Sequence, residues 1–179
     1  LRQSYLDEGA GDPVVMVHGN PTWSFYFRHL VLALRDSYRC VVPDHVGCGL
    51  SDKPPADRYD YSLQSRVDDL EALLEHAGVR ANVTLVVQDW GGMIGMAYAA
   101  RHPGRVKRIV ATNTGAFPLP ASKPFPFTLW LGRNTRLGAW LILKRNAFCR
   151  AAAKWCVTRK PLPADVRAMY LAPYDTPEH

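Results

Sequence analysis

The 179-residue chain contains no run of eighteen apolar residues, so nothing in it reads as a membrane-spanning helix. Its N-terminus, LRQSYLDEG, lacks the charged-then-apolar layout of a secretory signal. Cys40, Cys48, Cys149 and Cys156 offer neither a C-x-x-C pair nor the density of a disulfide framework, and they read as free thiols in a reducing compartment. No nucleic-acid motif is present, and neither a metal nor a cofactor is expected. These absences predict a soluble, cytoplasmic protein with no nucleic-acid partner. The chain opens on leucine rather than methionine, so the natural start is expected upstream of Leu1.

Acidic residues are scarce in one half only. Residues 101–179 carry three Asp and Glu against 14 Lys and Arg, whereas residues 1–100 carry 13 against eight. The basic half is interleaved with aromatics, as a surface facing an anionic membrane or an acidic partner would be. The plainer reading is a solvated outer face of helices, because Arg133, Arg136, Lys144, Arg145, Arg150 and Lys154 alternate with apolar residues.

What is present suits a globular chain with a true core: 47% of residues are hydrophobic and 21% charged. Ser4 to Asp7 reads as a strand end. Val14 to Val17, Tyr38 to Pro43 and Thr84 to Gln88 are short apolar runs of the kind buried on both faces of a parallel sheet, and Val106 to Thr112 is a further strand. Trp23 to Leu34 has an amphipathic helical pattern. A second helix starts at Ser62 as its cap, presents Leu63, Val67, Leu70, Leu74 and Ala77 on one face, and stops at Gly78. Alternating strands and helices predict a doubly wound α/β sheet, with ligands bound at the carboxyl ends of the strands. His18, Asn20, Asp89, Trp90 and Asn113 all fall there. From Gly115 the composition turns to proline, aromatic and basic residues, with helices predicted near Phe127–Leu131, Leu137–Leu143, Ala147–Cys156 and Ala164–Leu171. The expected division is a core over residues 1–114 and a helical cap over 115–179.

The chain is organised around TLVVQDWGGMIGMAYAA, residues 84–100, where a buried strand turns sharply into a helix with an acid at the corner. Such a corner forces its tip residue toward a left-handed backbone and holds it exposed at the positive end of the helix, while Gly91 and Gly92 permit close packing. This is the geometry of the nucleophile elbow G-x-S-x-G, with Asp89 in place of serine and Val87 in place of the first glycine. Aspartate is ionised at neutral pH and needs no base to attack, so one reading is covalent catalysis through an ester on Asp89. The other is that Asp89 merely caps the helix.

HGNPTWSFYFR, PDHVGCGLSDKP and VVQDWGGMIGMAYA, in this order and at these distances, resemble the haloalkane-dehalogenase-like branch of the α/β-hydrolases. Within it, the HVGCGLSDKP loop and the stretch through NAF, Cys156 and Ala172-Pro173-Tyr174-Asp175 look most like the β-lactone decarboxylases of bacterial long-chain olefin biosynthesis, which convert a cis-3-alkyl-4-alkyloxetan-2-one into a cis-olefin and carbon dioxide. The resemblance implies an α/β-hydrolase fold with a helical cap and Asp89 as nucleophile. It implies leaving-group stabilisation by the Asn20 amide and the Trp90 indole, both donors, and an oxyanion hole from the backbone N–H groups of the same two residues. His18 is expected to brace the loop, and Asn113 stands where some dehalogenases place the triad acid. The implied partner is a small apolar substrate with alkyl chains, which Phe117, Phe125, Phe127, Trp130, Leu131, Trp140 and Phe148 are expected to line; they serve equally as ordinary core. Contact with pathway enzymes or a membrane through the basic half is also open.

In α/β-hydrolases the catalytic histidine comes last in chain order. His18, His29, His45, His76, His102 and His179 do not follow a late strand, so the chain is read as an N-terminal fragment whose catalytic histidine and acid lie beyond residue 179. The alternative activity is hydrolytic dehalogenation through an alkyl-aspartyl ester. Epoxide hydrolysis is disfavoured because those enzymes usually carry an aromatic residue where Asn20 stands. A non-catalytic binding protein on the same fold is the alternative of another class.

Overall fold

The computed structural model describes residues 1–117, 122, 124–157 and 159–176, and it divides into two compact units, Leu1–Ala116 and Phe117–His179. His179 lies outside the described residues.

In the first unit, strands β1 (Tyr5–Glu8), β2 (Pro13–Val17), β3 (Arg39–Pro43), β4 (Val83–Gln88) and β5 (Val106–Thr112) form one mixed sheet in the order β1-β3-β2-β4-β5. β1 runs antiparallel to β3, and the remaining pairs are parallel. Successive side chains of a strand point to opposite faces, and the central strands use both. Val15, Val17, Val41, Leu85 and Val87 pack on α2 (Leu63–His76) and α3 (Trp90–Arg101) through Val67, Leu70, Leu73, Leu74, Ile94 and Tyr98. On the other face Val14, Met16, Cys40, Val42 and Val86 pack on Phe27 and Val31. The doubly wound arrangement follows, because apolar runs without polar interruption leave no strand face for water.

Two details differ from expectation, and a third concerns the last strand. The helix predicted over Trp23–Leu34 is a 3-10 turn, Ser24–Phe27, followed by α1 (Arg28–Leu34); Trp23, Phe27 and Val31 are still buried in register, so the apolar stripe survives the change of pitch. Ser62 caps α2 by accepting from the Ser65 N–H at 3.3 Å, and Gly78 stops it at φ +68°, but the buried face includes Leu73 and leaves Leu63 exposed. β5 lies at the end of the sheet, and every residue of it after Val106 is exposed.

The second unit contains α4 (Phe127–Asn134), α5 (Arg136–Arg145), α6 (Ala147–Trp155), α7 (Ala164–Leu171) and a terminal 3-10 turn, Ala172–Tyr174. Thr135 caps α5 by accepting from the Gly138 N–H at 2.9 Å. Asn146 adopts a left-handed backbone between α5 and α6, and its amide donates to the Tyr174 carbonyl at 2.9 Å, which ties the end of the unit to its middle. Among the described residues, no helix is long and apolar enough to cross a membrane.

The core assignment predicts a contrast. Leu74→Ala removes a fully buried side chain and should cost about 2–5 kcal/mol in denaturant unfolding, whereas Leu32→Ala on the exposed side of α1 should cost less than about 1 kcal/mol. Equal losses would contradict the assignment.

Candidate active site

Four parallel strands end on one side of the sheet, and the residues that follow them converge. β2 is followed by His18-Gly19-Asn20, β3 by Asp44-His45, β4 by Asp89-Trp90 and β5 by Asn113-Thr114. The junction of β4 with α3 is the sharp one. Asp89 takes φ 52° and ψ −125°, a positive φ outside the left-handed helical well, at a cost of about 1–3 kcal/mol for a non-glycine residue. Although Asp89 occupies the N-cap position, its side chain makes no capping hydrogen bond. The plain capping role is therefore set aside, and the carboxylate is turned to other partners.

Three close approaches hold the corner. A Cβ on Gly91 would overlap the Val17 carbonyl oxygen, one on Gly92 would overlap Thr114 Oγ1, and one on Gly19 would overlap the Asp89 side chain. Thr114 Oγ1 donates to the Asp89 carbonyl oxygen, joining β5 to the elbow. Val87, where the elbow pattern has its first glycine, is accommodated from the helix side: a Cβ on Gly95 would stand 2.6 Å from Val87 Cγ1. The missing methyl has moved from the strand to the facing helix. Asp89 itself is half-buried rather than exposed on a post.

The Asn20 backbone N–H donates to Asp89 Oδ1 at 2.9 Å. That N–H belongs to a peptide plane whose opposite edge is also fixed: the Gly19 carbonyl accepts from Thr22 Oγ1 at 3.0 Å and from His18 Nδ1 at 2.9 Å. The tautomer of His18 follows from its other nitrogen. His45 backbone N–H donates to His18 Nε2 at 3.1 Å, so Nε2 is an acceptor and Nδ1 carries the proton. His45 in turn donates from Nε2 to the His18 carbonyl at 3.0 Å, with the two rings 4.2 Å apart. Both imidazoles are fully buried side chains in a network suited to their neutral forms. Burial is the main cause that lowers the pKa of His18, and it pushes His45 well below the usual histidine value, with His18 and Arg66 adding to the effect.

Asp44 is buried beneath this pair and anchors the loop after β3. Its carboxylate accepts from the Ser24 N–H at 2.7 Å and the Leu50 N–H at 2.9 Å. Cys48, within that loop, directs its thiol to Asn20 Oδ1 at 3.5 Å. Trp90 is exposed, and among the described residues neither its indole nor the Asn113 side chain makes a hydrogen bond to Asp89, Asn20 or His18. The structure thus joins His18, Asn20 and Asp89 by hydrogen bonds, while Trp90 directly follows Asp89 in the chain and Asn113 directly precedes Thr114, which bonds the Asp89 carbonyl. Thr22, His45, Cys48 and Thr114 were not among the candidates. Among the described residues, no group of three or more His, Cys, Asp and Glu side chains is placed to hold a metal ion.

Residues 12–141 match the family of the alpha/beta hydrolase fold. The chain belongs to the α/β hydrolase fold family. Within that family it is 58% identical over 172 residues, 96% of its length, to a protein of Shewanella oneidensis named cis-3-alkyl-4-alkyloxetan-2-one decarboxylase. It is 54% identical over 182 residues, 98% of its length, to a protein of the same name from Xanthomonas campestris pv. campestris. The chain spans 54% and 60% of the length of these two relatives. Among solved α/β-hydrolase structures, the crystal structure of the haloalkane dehalogenase DatA from Agrobacterium tumefaciens C58 superposes with a TM-score of 0.86 at 28% identity, covering 98% of this chain and 60% of that one.

The buried histidines generate a pH dependence of stability. Their pKa values are lower folded than unfolded, so below about pH 6.5 the unfolded chain binds protons that the folded one refuses, and stability falls as pH falls. Between pH 7.5 and 5.5 the wild-type protein should lose more unfolding free energy than His45→Gln. Parallel losses in denaturant titrations would show that His45 does not stay neutral in the fold.

Proposed function

We propose that the protein is a β-lactone decarboxylase that converts a cis-3-alkyl-4-alkyloxetan-2-one to a cis-olefin and carbon dioxide, with Asp89 as nucleophile. The observation that carries the reading is the Asp89 carboxylate: strained into place, free of a capping role, and held through Oδ1 by the Asn20 N–H, so that Oδ2 is the oxygen left to attack. The two relatives named as decarboxylases support the substrate class.

In this reading Oδ2 attacks the saturated, alkyl-bearing ring carbon bonded to the ring oxygen, not the carbonyl carbon, and breaks that C–O bond. An alkyl ester of Asp89 forms and the ring's own carboxylate is released with relief of strain. Loss of carbon dioxide then moves the pair of the breaking C–C bond into the new double bond, and the C–O bond to Asp89 breaks to restore the carboxylate. No water is consumed. The Asn20 amide and the Trp90 indole are donors suited to the developing carboxylate, and one oriented donor in a dry site contributes roughly 2.7–4 kcal/mol to the transition state. The second reading is haloalkane dehalogenation, supported by the likeness to DatA; there the same donors face a halide and the ester on Asp89 is hydrolysed.

The two readings separate when the full-length protein, rather than the 179-residue piece, which is expected to be inactive by itself, is offered a long-chain cis-β-lactone and a 1-haloalkane in parallel. Olefin formation with little halide release is expected, and Asp89→Asn should lower it at least about a thousand-fold. Rapid halide release with an untouched lactone would give the second reading precedence. Wild-type turnover by the Asn variant, with deamidation excluded by mass spectrometry, would remove Asp89 from the mechanism.

We also assign the protein to the cytoplasm and propose that the second unit meets an anionic membrane surface or a partner enzyme that delivers the alkyl substrate. Residues 117–179 carry ten Lys and Arg against three Asp and Glu, and Phe127 and Trp155 are exposed there. Co-sedimentation with anionic vesicles, absent with zwitterionic ones and abolished in about 1 M salt, is the expected result. Equal binding to both lipids would point away from charge.

A further inference from the structure

We infer that Cys48 is a positioning residue, its thiol setting the orientation of the Asn20 side-chain amide; the inference rests on the proposed role of that amide as a leaving-group donor. Asn20 is held at two points by different elements. Its backbone N–H is engaged by Asp89 Oδ1, and its side-chain oxygen lies 3.5 Å from Cys48 Sγ. An amide oxygen can only accept, so the thiol is the donor. A carboxamide is planar and nearly symmetric in shape, and rotating it by half a turn exchanges oxygen for NH2 at little steric cost. Occupying Oδ1 with a donor breaks that symmetry and leaves the two Nδ2–H groups for a ligand. With the opposite orientation, Oδ1 would meet a developing anion with its lone pairs.

The loop is built to hold this thiol in place. Cys48 is buried and is flanked by Gly47 at φ +89° and Gly49 at φ +54°, where side-chain-bearing residues are strained. A Cβ on Gly47 would stand 2.6 Å from the Tyr61 ring, and one on Gly49 would overlap the Asp44 carboxylate. The Cys48 N–H donates to the His45 carbonyl at 2.8 Å, the Gly47 N–H to the Asp52 carbonyl at 2.8 Å, and the Ser51 N–H to the Cys48 carbonyl at 3.1 Å. The same loop grips His18 through His45, so the segment after β3 fixes both the peptide that holds the nucleophile and the amide beside it.

The test compares Cys48→Ala, which removes the donor, with Cys48→Ser, which keeps one. Cys48→Ala should lower kcat for olefin formation about five-fold with KM nearly unchanged, the loss of one weak hydrogen bond realised in the transition state, while Cys48→Ser stays within about two-fold of wild type. Wild-type kcat in Cys48→Ala, or an equal loss in both variants, overturns the assignment and leaves the decarboxylase reading intact. If the wild type turns over no lactone, that reading fails, and the positioning role is decided instead by the Asn20 Nδ2 resonance of 15N-labelled protein, assigned by comparison with Asn20→Ser. A shifted resonance in Cys48→Ala that is recovered in Cys48→Ser supports the inference; a resonance unmoved in Cys48→Ala, or moved alike in both variants, refutes it.

Discussion

The Gly19–Asn20 peptide is the point at which the candidate site is fixed, and both of its edges are engaged. On one edge the Gly19 carbonyl takes donors from Thr22 and His18; on the other the Asn20 N–H meets Asp89 Oδ1. A trans-oriented carbonyl and N–H of one peptide point in opposite directions, so pinning the carbonyl aims the donor. Everything else in the region supports that plane. His45 fixes the tautomer and position of His18, Asp44 secures the ends of the loop that carries His45, and the missing Cβ of Gly19 lets the peptide lie against the acid.

The elbow is the strained half of the same contact. An aspartate at φ 52° is unfavourable by itself and is retained because its neighbours leave no alternative: Gly91 sits against the end of β2, and Thr114 holds the Asp89 carbonyl from β5. The core supplies the rigidity. Buried valines of three parallel strands and the helices on both faces keep the strand ends in register, so a backbone donor just after β2 and a carboxylate just after β4 meet at hydrogen-bond distance.

Much of this was legible in the residues. Uninterrupted apolar runs marked the inner strands, Ser62 and Gly78 bracketed α2, and the step from TLVVQ into DWGG announced the elbow. Those signals are local, carried by periodicity and by the backbone chemistry of glycine and serine. The loops were less legible. Asp44, His45 and Cys48 each reach a residue twenty or more positions away, Ser24, His18 and Asn20 respectively, and no period or spacing encodes which nitrogen of His18 is protonated or which backbone donors Asp44 receives. The 3-10 turn before α1 escaped notice because its buried residues, Trp23, Phe27 and Val31, satisfy the helical pattern at either pitch.

One consequence follows from the way Asp89 is held. In the proposed mechanism the Asp89 oxygen that does not attack is contacted by a main-chain N–H, while the groups suited to select the departing atom, the Asn20 amide and the Trp90 indole, belong to side chains. Exchanging those side chains leaves the main-chain donor in place. On the proposed mechanism, reactivity and choice of electrophile thus lie in separable parts of the molecule, and such a scaffold passes from one leaving group to another without rebuilding its nucleophile.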